Sequence, residues 1–173
     1  MHEIADRLLA AVDSGRRLAV ATAISIEGSA PRTVGTSMAF DGSAVIGSIA
    51  GGCVEGAVVE TCVDVLADGV ARTVEYGFSD ETAFTVGLTC GGRLRIHVQL
   101  LDDELADALR RRDRITTLIP CEGQEPEVFV EEPPVASRMI IFGAMEFSAA
   151  LAAAARVLGY SVTVCDPRSL FAT

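Results

Sequence analysis

Gly47-Ser48-Ile49-Ala50-Gly51-Gly52-Cys53-Val54-Glu55 is the stretch that decides how this chain is interpreted. It follows an apolar, strand-like run at 44–46 and leads through paired glycines into a helical pattern that begins at Cys53. Glycines allow backbone N–H groups to crowd around a ligand, and a helix N-terminus carries about half a positive charge. The same helix end favours the thiolate form of a cysteine. We therefore expect this loop to hold an anionic ligand and to offer it the sulfur of Cys53.

A second loop, Gly87-Leu88-Thr89-Cys90-Gly91-Gly92, also places a cysteine beside paired glycines. We therefore take Cys53 and Cys90 as the functional candidates; core packing beside glycines that only turn the chain is the alternative for both. Cys62 lies nine residues after Cys53, so we expect it to point to the opposite side of the helix and into the core. The other two cysteines of the five are not candidates for function: Cys121 and Cys165.

Three further side chains are candidates with simpler alternatives. Arg32 lies in the loop 27–35, and its rigid fork of donors suits a phosphate or a pterin carbonyl edge; an exposed arginine is the alternative. Glu55 is a helix cap or a proton carrier, and capping is the interpretation that we favour. His97 falls on the polar face of an alternating strand pattern, which indicates a solvated surface histidine.

Composition limits the function classes. The net charge of −10 argues against nucleic-acid binding, and no apolar run is long enough to cross a membrane. The beginning of the chain lacks a signal-peptide pattern, so we expect a cytoplasmic protein with reduced thiols. The absence of a Cys-x-x-Cys pair argues against a structural zinc site, and the absence of lysine excludes Schiff-base chemistry.

The chain divides at a Glu-Glu-Pro-Pro sequence, 131–134, which is typical of a linker. Before it we expect a mixed-sheet α/β domain over residues 1–131. After a linker at 132–137, residues 138–173 have the strand–helix–strand order of an incomplete Rossmann-like domain. The expected helices cover 3–14, 53–67, 103–112 and 147–158, and the expected strands cover 18–26, 37–41, 44–49, 70–77, 93–100, 115–119, 127–130, 138–142 and 161–165.

The second domain has a degraded dinucleotide-binding pattern. Gly143 matches the first glycine of the fingerprint, but Met145 stands where a pyrophosphate needs close backbone approach. Asp166 lies about twenty residues on, where a ribose-binding acid belongs. Gly143 and Asp166 are therefore candidate nucleotide contacts, but we do not expect NAD(P) binding and favour a βαβ unit without a ligand.

Together the loops resemble the XdhC/CoxI family, the accessory proteins for maturation of xanthine dehydrogenase and related molybdenum enzymes. The resemblance rests on Gly28-Ser29-Ala30-Pro31-Arg32 with Gly35, on 47–55 and on 87–92. The segment 140–168 resembles the start of that family's C-terminal Rossmann domain. The resemblance implies binding of a molybdopterin-type cofactor, support of its sulfuration and insertion into an apo-enzyme. The implied contacts are Arg32, Gly51, Gly52, Cys53, Glu55, Cys90, Gly91 and Gly92, with Cys53 and Cys90 against molybdenum.

The sequence therefore predicts a maturation chaperone for a xanthine dehydrogenase-like apo-molybdoenzyme rather than a turnover enzyme. A cysteine desulfurase and a second copy of the chain are further partners that stay open. Two rival interpretations remain at this point. One is an NAD(P)-dependent oxidoreductase that uses the Rossmann-like unit. The other is an interaction module without a cofactor, which predicts that Cys53 and Cys90 face the core.

Overall fold

The computed structural model describes residues 1–77, 92–121, 123, 125–135 and 137–171, and the chain divides into two compact units, Met1–Pro133 and Pro134–Thr173. The helices of the described residues are α1 (Ala5–Asp13), α2 (Glu55–Asp68), α3 (Asp103–Arg111) and α4 (Glu146–Val157). Their strands are β1 (Ala19–Glu27), β2 (Ser37–Phe40), β3 (Val45–Gly47), β4 (Arg72–Tyr76), β5 (Arg93–Leu100), β6 (Ile115–Ile119), β7 (Glu127–Glu131), β8 (Arg138–Phe142) and β9 (Ser161–Cys165). The mixed α/β class predicted from the sequence is confirmed. Among the described helices, none combines the length and the apolar character that crossing a bilayer requires.

Five strands of the first unit form one antiparallel sheet in the order β3-β2-β1-β5-β4. β2 and β3 are joined by a turn at Asp41-Gly42, a dipeptide that favours hairpins. The Asp41 carboxylate accepts the N–H groups of Ser43 and Ala44 at 2.8 and 2.7 Å, which closes the turn locally. β6 and β7 form a separate antiparallel hairpin.

The sheet is covered on both faces. On one face α2 packs its Val58, Cys62 and Val65 side chains on Ala19, Ala21 and Ala23 of β1 and on the apolar residues of β5. The other face forms a second core cluster with α1 and α3, which includes Leu8, Val20 and Leu109. Alternation along β1 and β2 supplies side chains to both clusters, so the sheet is a central layer between helices.

The helix ends follow local sequence signals. The Asp102 carboxylate caps α3 by accepting the N–H of Leu105 at 2.8 Å, and this helix is acidic in its first turn and basic in its last. α2 ends at Gly69, which adopts the left-handed conformation that a C-terminal glycine allows. Both ends follow rules that can be applied to the sequence alone: an acidic N-cap for α3 and a glycine after α2.

The strand directions bring three connections to one edge of the sheet. β1, β3 and β4 run in the same direction, because each pairs antiparallel with β2 or β5. The connections after these strands therefore leave the sheet at its same end. The first carries the loop 28–35, the second carries 48–54, and the third returns to the sheet through Gly92. The glycine-rich motifs of the sequence thus begin or end at a common edge.

The second unit contains β8, α4 and β9, with β8 and β9 paired in parallel. The Ser148 side chain is fully buried, and its hydroxyl donates to the Gly143 carbonyl at 2.6 Å. Ala152 and Ala155 are the other buried side chains of α4. Its larger apolar residues Phe147, Leu151 and Val157 are exposed, as is Leu158 directly after the helix.

Candidate functional site

The glycine-rich turn begins where β3 ends. Gly47 has φ +83°, and a side-chain carbon at this position would lie 2.8 Å from the Ser37 carbonyl oxygen. Gly51 and Gly52 also have positive φ, +75° and +112°, with open space around them. The close approach therefore requires a glycine at position 47, whereas positions 51 and 52 use glycine for the backbone conformation alone.

A carboxylate from the chain itself occupies the N–H groups of this turn. Glu55 Oε1 accepts the N–H of Ile49 at 3.1 Å, the N–H of Ala50 at 2.9 Å and the hydroxyl of Ser48 at 2.7 Å. Its Oε2 accepts the N–H groups of Gly52 and Val54 at 2.8 and 3.2 Å. The donors that we expected to surround an anionic ligand therefore bind the carboxylate of Glu55.

These hydrogen bonds decide the ionisation of Glu55. Partial burial alone would raise its pKa, but the N–H of Ala50, the hydroxyl of Ser48 and the N–H of Gly52 outweigh burial and lower the pKa to about 2. The carboxylate is therefore ionised at neutral pH and is a poor proton carrier. The helix-capping role that the sequence favours is therefore wrong, because the Glu55 carboxylate bonds to the turn before α2 and makes no cap bond to the helix.

Cys53 lies in this turn rather than on the helix. We expected the helix to begin at Cys53, but α2 begins at Glu55, and its first backbone bond runs from Val58 N–H to the Val54 carbonyl at 2.9 Å. The reason is that Glu55 holds the N–H groups of Gly52 and Val54 in a non-helical turn. The thiol of Cys53 is half-buried.

Cys62 has the structural role that the sequence predicts. It is fully buried on α2 with Val54 and Val58, and burial raises the pKa of its thiol to about 12. The expectation that Cys53 points away from this core is wrong, because Cys53 packs against the margin of the same cluster. The nine-residue spacing from Cys53 to Cys62 places side chains on opposite sides only within a helix, and Cys53 lies before α2 begins. Cys121 and Cys165 are half-buried.

Arg32 is exposed in the loop after β1. Its guanidinium donates to the Glu3 carboxylate at 2.9 Å, and both side chains are 43% exposed. An ion pair this exposed is worth about 1 kcal/mol or less, so Arg32 can exchange Glu3 for a phosphate at small cost.

The third motif is described only at its end. Cys90 and Gly91 lie outside the described residues, while Gly92 is buried beside the loop after β1. A side-chain carbon on Gly92 would lie 2.5 Å from the Ser29 carbonyl oxygen and 2.9 Å from that of Glu27. Gly92, the last residue of the third motif, therefore lies against the backbone at the start of the loop that follows β1.

In the second unit, Asp166 is engaged within the chain. Its carboxylate accepts the N–H of Ala144 at 2.8 Å and pairs with the Arg168 guanidinium at 2.7 Å. Gly143 has φ +103°, and Met145 is 56% exposed. The acid that we considered as a ribose contact thus holds the turn after β8.

His97 is buried, not solvated as we expected. It is 3% exposed, and its Nδ1 lies 3.0 Å from the Thr73 hydroxyl. Alternation along β5 separated the two faces correctly, but the face that carries His97 belongs to the covered side of the sheet, so the polar pattern did not mean contact with water. Burial lowers the pKa of His97 below its ordinary value of 6.5.

This burial predicts a loss of stability in mild acid. The folded chain binds fewer protons at His97 than the unfolded chain, so the free energy of unfolding falls as the pH drops below 6.5 toward the lowered pKa. Burial lowers the pKa of His2 as well, which adds a slope of the same sign. In His97→Gln we expect a shallower loss between about pH 7 and pH 5, measured by urea unfolding. Parallel stability curves for the two proteins would contradict this assignment.

Sequence reasoning missed the partnership of Ser48 and Glu55. Ser48 donates to Glu55 Oε1 and accepts the N–H of Gly51 at 3.1 Å, so it links the carboxylate to the glycine pair. The sequence does place a serine and a glutamate on either side of the glycines. That pattern does not show that the Glu55 side chain turns back to the residues before its helix. Within the described part of the chain, no cluster of three or more histidine, cysteine or carboxylate side chains is arranged to hold a metal ion.

A model of the XdhC and CoxI family matches residues 11–77, which include the loops 28–35 and 47–55. A Bacillus subtilis (strain 168) protein described as a probable xanthine dehydrogenase subunit is 25% identical over 219 aligned positions, covering 99% of this chain and 65% of that protein. The molybdenum cofactor insertion chaperone PaoD of Escherichia coli (strain K12) is 29% identical over 92 positions, covering 53% of this chain and 29% of that protein. This chain thus spans less than two thirds of the length of either relative.

The crystal structure of a xanthine dehydrogenase from Bacillus halodurans has the same fold, with a TM-score of 0.75 and 22% identity. The match covers 99% of this chain and 64% of that one. Two of the three loops that suggested the XdhC/CoxI family lie inside the matched segment. The resemblance predicted from the sequence is therefore confirmed by the match of the XdhC and CoxI family model to residues 11–77.

Proposed function

We propose that this chain binds a molybdopterin-type cofactor at the edge of its five-stranded sheet and supports insertion of that cofactor into a xanthine dehydrogenase-type enzyme. The observation that carries the proposal is that the loops 28–35 and 48–54 leave the sheet at the same edge, with the half-buried thiol of Cys53 in the second of them. The family match and the similarity to the insertion chaperone PaoD support the same class of function.

The donors of this edge suit parts of such a cofactor. Molybdenum binds soft sulfur ligands, so the Cys53 thiolate is the group that we assign to the metal, with Cys90 as a second sulfur. Arg32 is the group that we assign to the phosphate or to the pterin edge, in exchange for its contact with Glu3. Gly51 and Gly52 lie beside Cys53 with open space above them, which leaves room for a flat ring.

In this proposal the backbone N–H groups of the turn bind Glu55 and not the cofactor. Since Glu55 accepts the N–H groups of Ile49, Ala50, Gly52 and Val54, the phosphate would rely on Arg32 and on groups outside this turn. The proposed site therefore offers sulfur from the turn and positive charge from the neighbouring loop. The proposed client is a xanthine dehydrogenase-like apo-enzyme, and the second unit is proposed as the start of a Rossmann-like domain.

The engagement of Asp166 argues against the rival oxidoreductase. Its carboxylate binds Ala144 N–H and Arg168, so a ribose would have to displace both partners. Together with Met145 at the place of close backbone approach, this favours a βαβ unit that does not use NAD(P).

The direct test is cofactor retention. The full chain, purified anaerobically from cells that synthesise molybdenum cofactor, is expected to contain molybdenum and pterin in equal amounts, measured by elemental analysis and by pterin fluorescence after oxidation. Chain from cells unable to synthesise the cofactor is the control. Absence of both molybdenum and pterin above this control would contradict the proposal and would favour the interaction module.

A further inference from the structure

We propose that Glu55 is a positioning residue for Cys53: its carboxylate holds the turn 48–54 in one conformation and so fixes the position of the half-buried Cys53 sulfur. This inference rests on the proposed function, in which the Cys53 sulfur contacts the cofactor. It changes the role of Glu55 from a contact of the ligand to the anchor of the turn.

The hydrogen bonds of Glu55 lie on both sides of Cys53. The residues before and after it, Gly52 and Val54, donate their N–H groups to the same oxygen, Oε2. The other oxygen binds the beginning of the turn through Ser48, Ile49 and Ala50. One carboxylate therefore joins the beginning of the turn to the N–H groups of the two residues that flank the cysteine.

The turn needs such an anchor because of its sequence. Gly51 and Gly52 have positive φ, and no atom lies near the position that a side chain would occupy. Their backbone therefore retains wide conformational freedom unless hydrogen bonds restrict it. Without the carboxylate, the N–H groups of the buried residues Ile49, Ala50 and Val54 would also lose their acceptor, and each buried unpaired donor costs about 1–3 kcal/mol. Glu55 meets both requirements with a single side chain.

The arrangement differs from a helix cap that acts on the helix alone. Glu55 is the first residue of α2, and the N–H groups that it binds belong to residues before the helix. Its loss therefore acts first on the turn and on Cys53, while the buried face of α2, with Val58, Cys62 and Val65, stays packed on the sheet.

The test is the alkylation rate of each cysteine in the intact chain, measured by mass spectrometry of peptides at several pH values. At pH values well above the ordinary cysteine pKa of about 8.5, the rate no longer depends on ionisation and reports access to the sulfur. In Glu55→Gln we expect this limiting rate to rise about tenfold at Cys53, because local opening of the turn becomes easier. The rates at Cys121 and Cys165 should change by less than about twofold.

Two further variants make the test decisive. Glu60→Gln makes the same substitution at an exposed position of α2 and should leave the Cys53 rate unchanged. Ser48→Ala removes one of the bonds to Glu55 and should raise the Cys53 rate about threefold; it decides the question should Glu55→Gln not fold. The positioning role would be overturned if the limiting alkylation rate of Cys53 rose in neither variant, even if the pH at which that rate is half-maximal shifted.

Cofactor retention separates this inference from the proposed function. If Glu55→Gln speeds alkylation of Cys53 and lowers molybdenum and pterin content, both stand. If it speeds alkylation while the unaltered chain retains no cofactor, Glu55 still positions the turn and the proposed function fails. Unchanged alkylation in folded Glu55→Gln and Ser48→Ala overturns the inference, whatever the cofactor content.

Discussion

Replacing Gly47 by alanine is expected to destabilise the first unit by about 3 kcal/mol or more. Gly47 has φ +83°, so any side chain is strained there. The added carbon would also lie 2.8 Å from the Ser37 carbonyl oxygen, which is backbone and cannot rotate away. Because Gly47 pairs with Met38 in the sheet, relief requires β3 to separate from β2 and the turn to move.

Two glycines of the same segment provide matched controls. Gly51 shares the positive φ, +75°, but nothing lies near its missing side chain, so Gly51→Ala should cost about 1 kcal/mol from backbone strain alone. Gly56 lies in α2 with open space, so Gly56→Ala should stabilise by about 0.5–1 kcal/mol. Urea unfolding followed by circular dichroism measures all three. A cost at Gly47 no larger than that at Gly51 would show that the contact with Ser37 yields easily.

The sequence predicted the framework well because its signals are local. β5 and β9 have the expected bounds, and α3 and α4 differ from expectation by one residue at their ends. In β5, four alternating apolar residues identify the face that packs under α2 without knowledge of the partner strands. The loops at the sheet edge were likewise predicted from their glycines, since positive φ is a property of single residues.

The features that the sequence did not predict depend on distant neighbours. His97 alternates with arginines, and nothing local indicates that α1 and α3 cover that side of the sheet. The Glu55 network is local, but its geometry depends on two successive glycines with positive φ, which turn five donors toward one carboxylate. A residue pattern identifies the donors and the acceptor, but not that they converge.

Replacing Cys53 by serine is expected to lower molybdenum and pterin retention about tenfold or more, with a loss of stability of about 1 kcal/mol or less. Serine keeps the shape of the half-buried side chain but removes the soft sulfur that we assign to the metal. Activation of an apo-molybdoenzyme should fall in parallel. Cys90→Ser should have the same effect if both thiols serve one ligand.

Cys62→Ser should show the opposite pattern. Cys62 is fully buried among Val54, Val58 and Val65, so the serine hydroxyl replaces a small apolar contact and costs about 1–3 kcal/mol, reduced where it bonds a carbonyl of its own helix. Cofactor retention per folded chain should not change. The raised pKa of Cys62, about 12, also keeps this thiol protonated at pH 8, so alkylation at that pH distinguishes it from other cysteines.

The matched control for Cys53 is Cys121→Ser, which alters another half-buried thiol of the same unit. Comparison of these variants separates a ligand role from a packing role, because Cys53 and Cys62 contact the same core cluster while only Cys53 lies in the turn at the sheet edge. Full retention of molybdenum and pterin in Cys53→Ser would mean that the first glycine-cysteine motif is a structural turn. The Glu55 network would then serve folding, and the interaction module would be the better account of this chain.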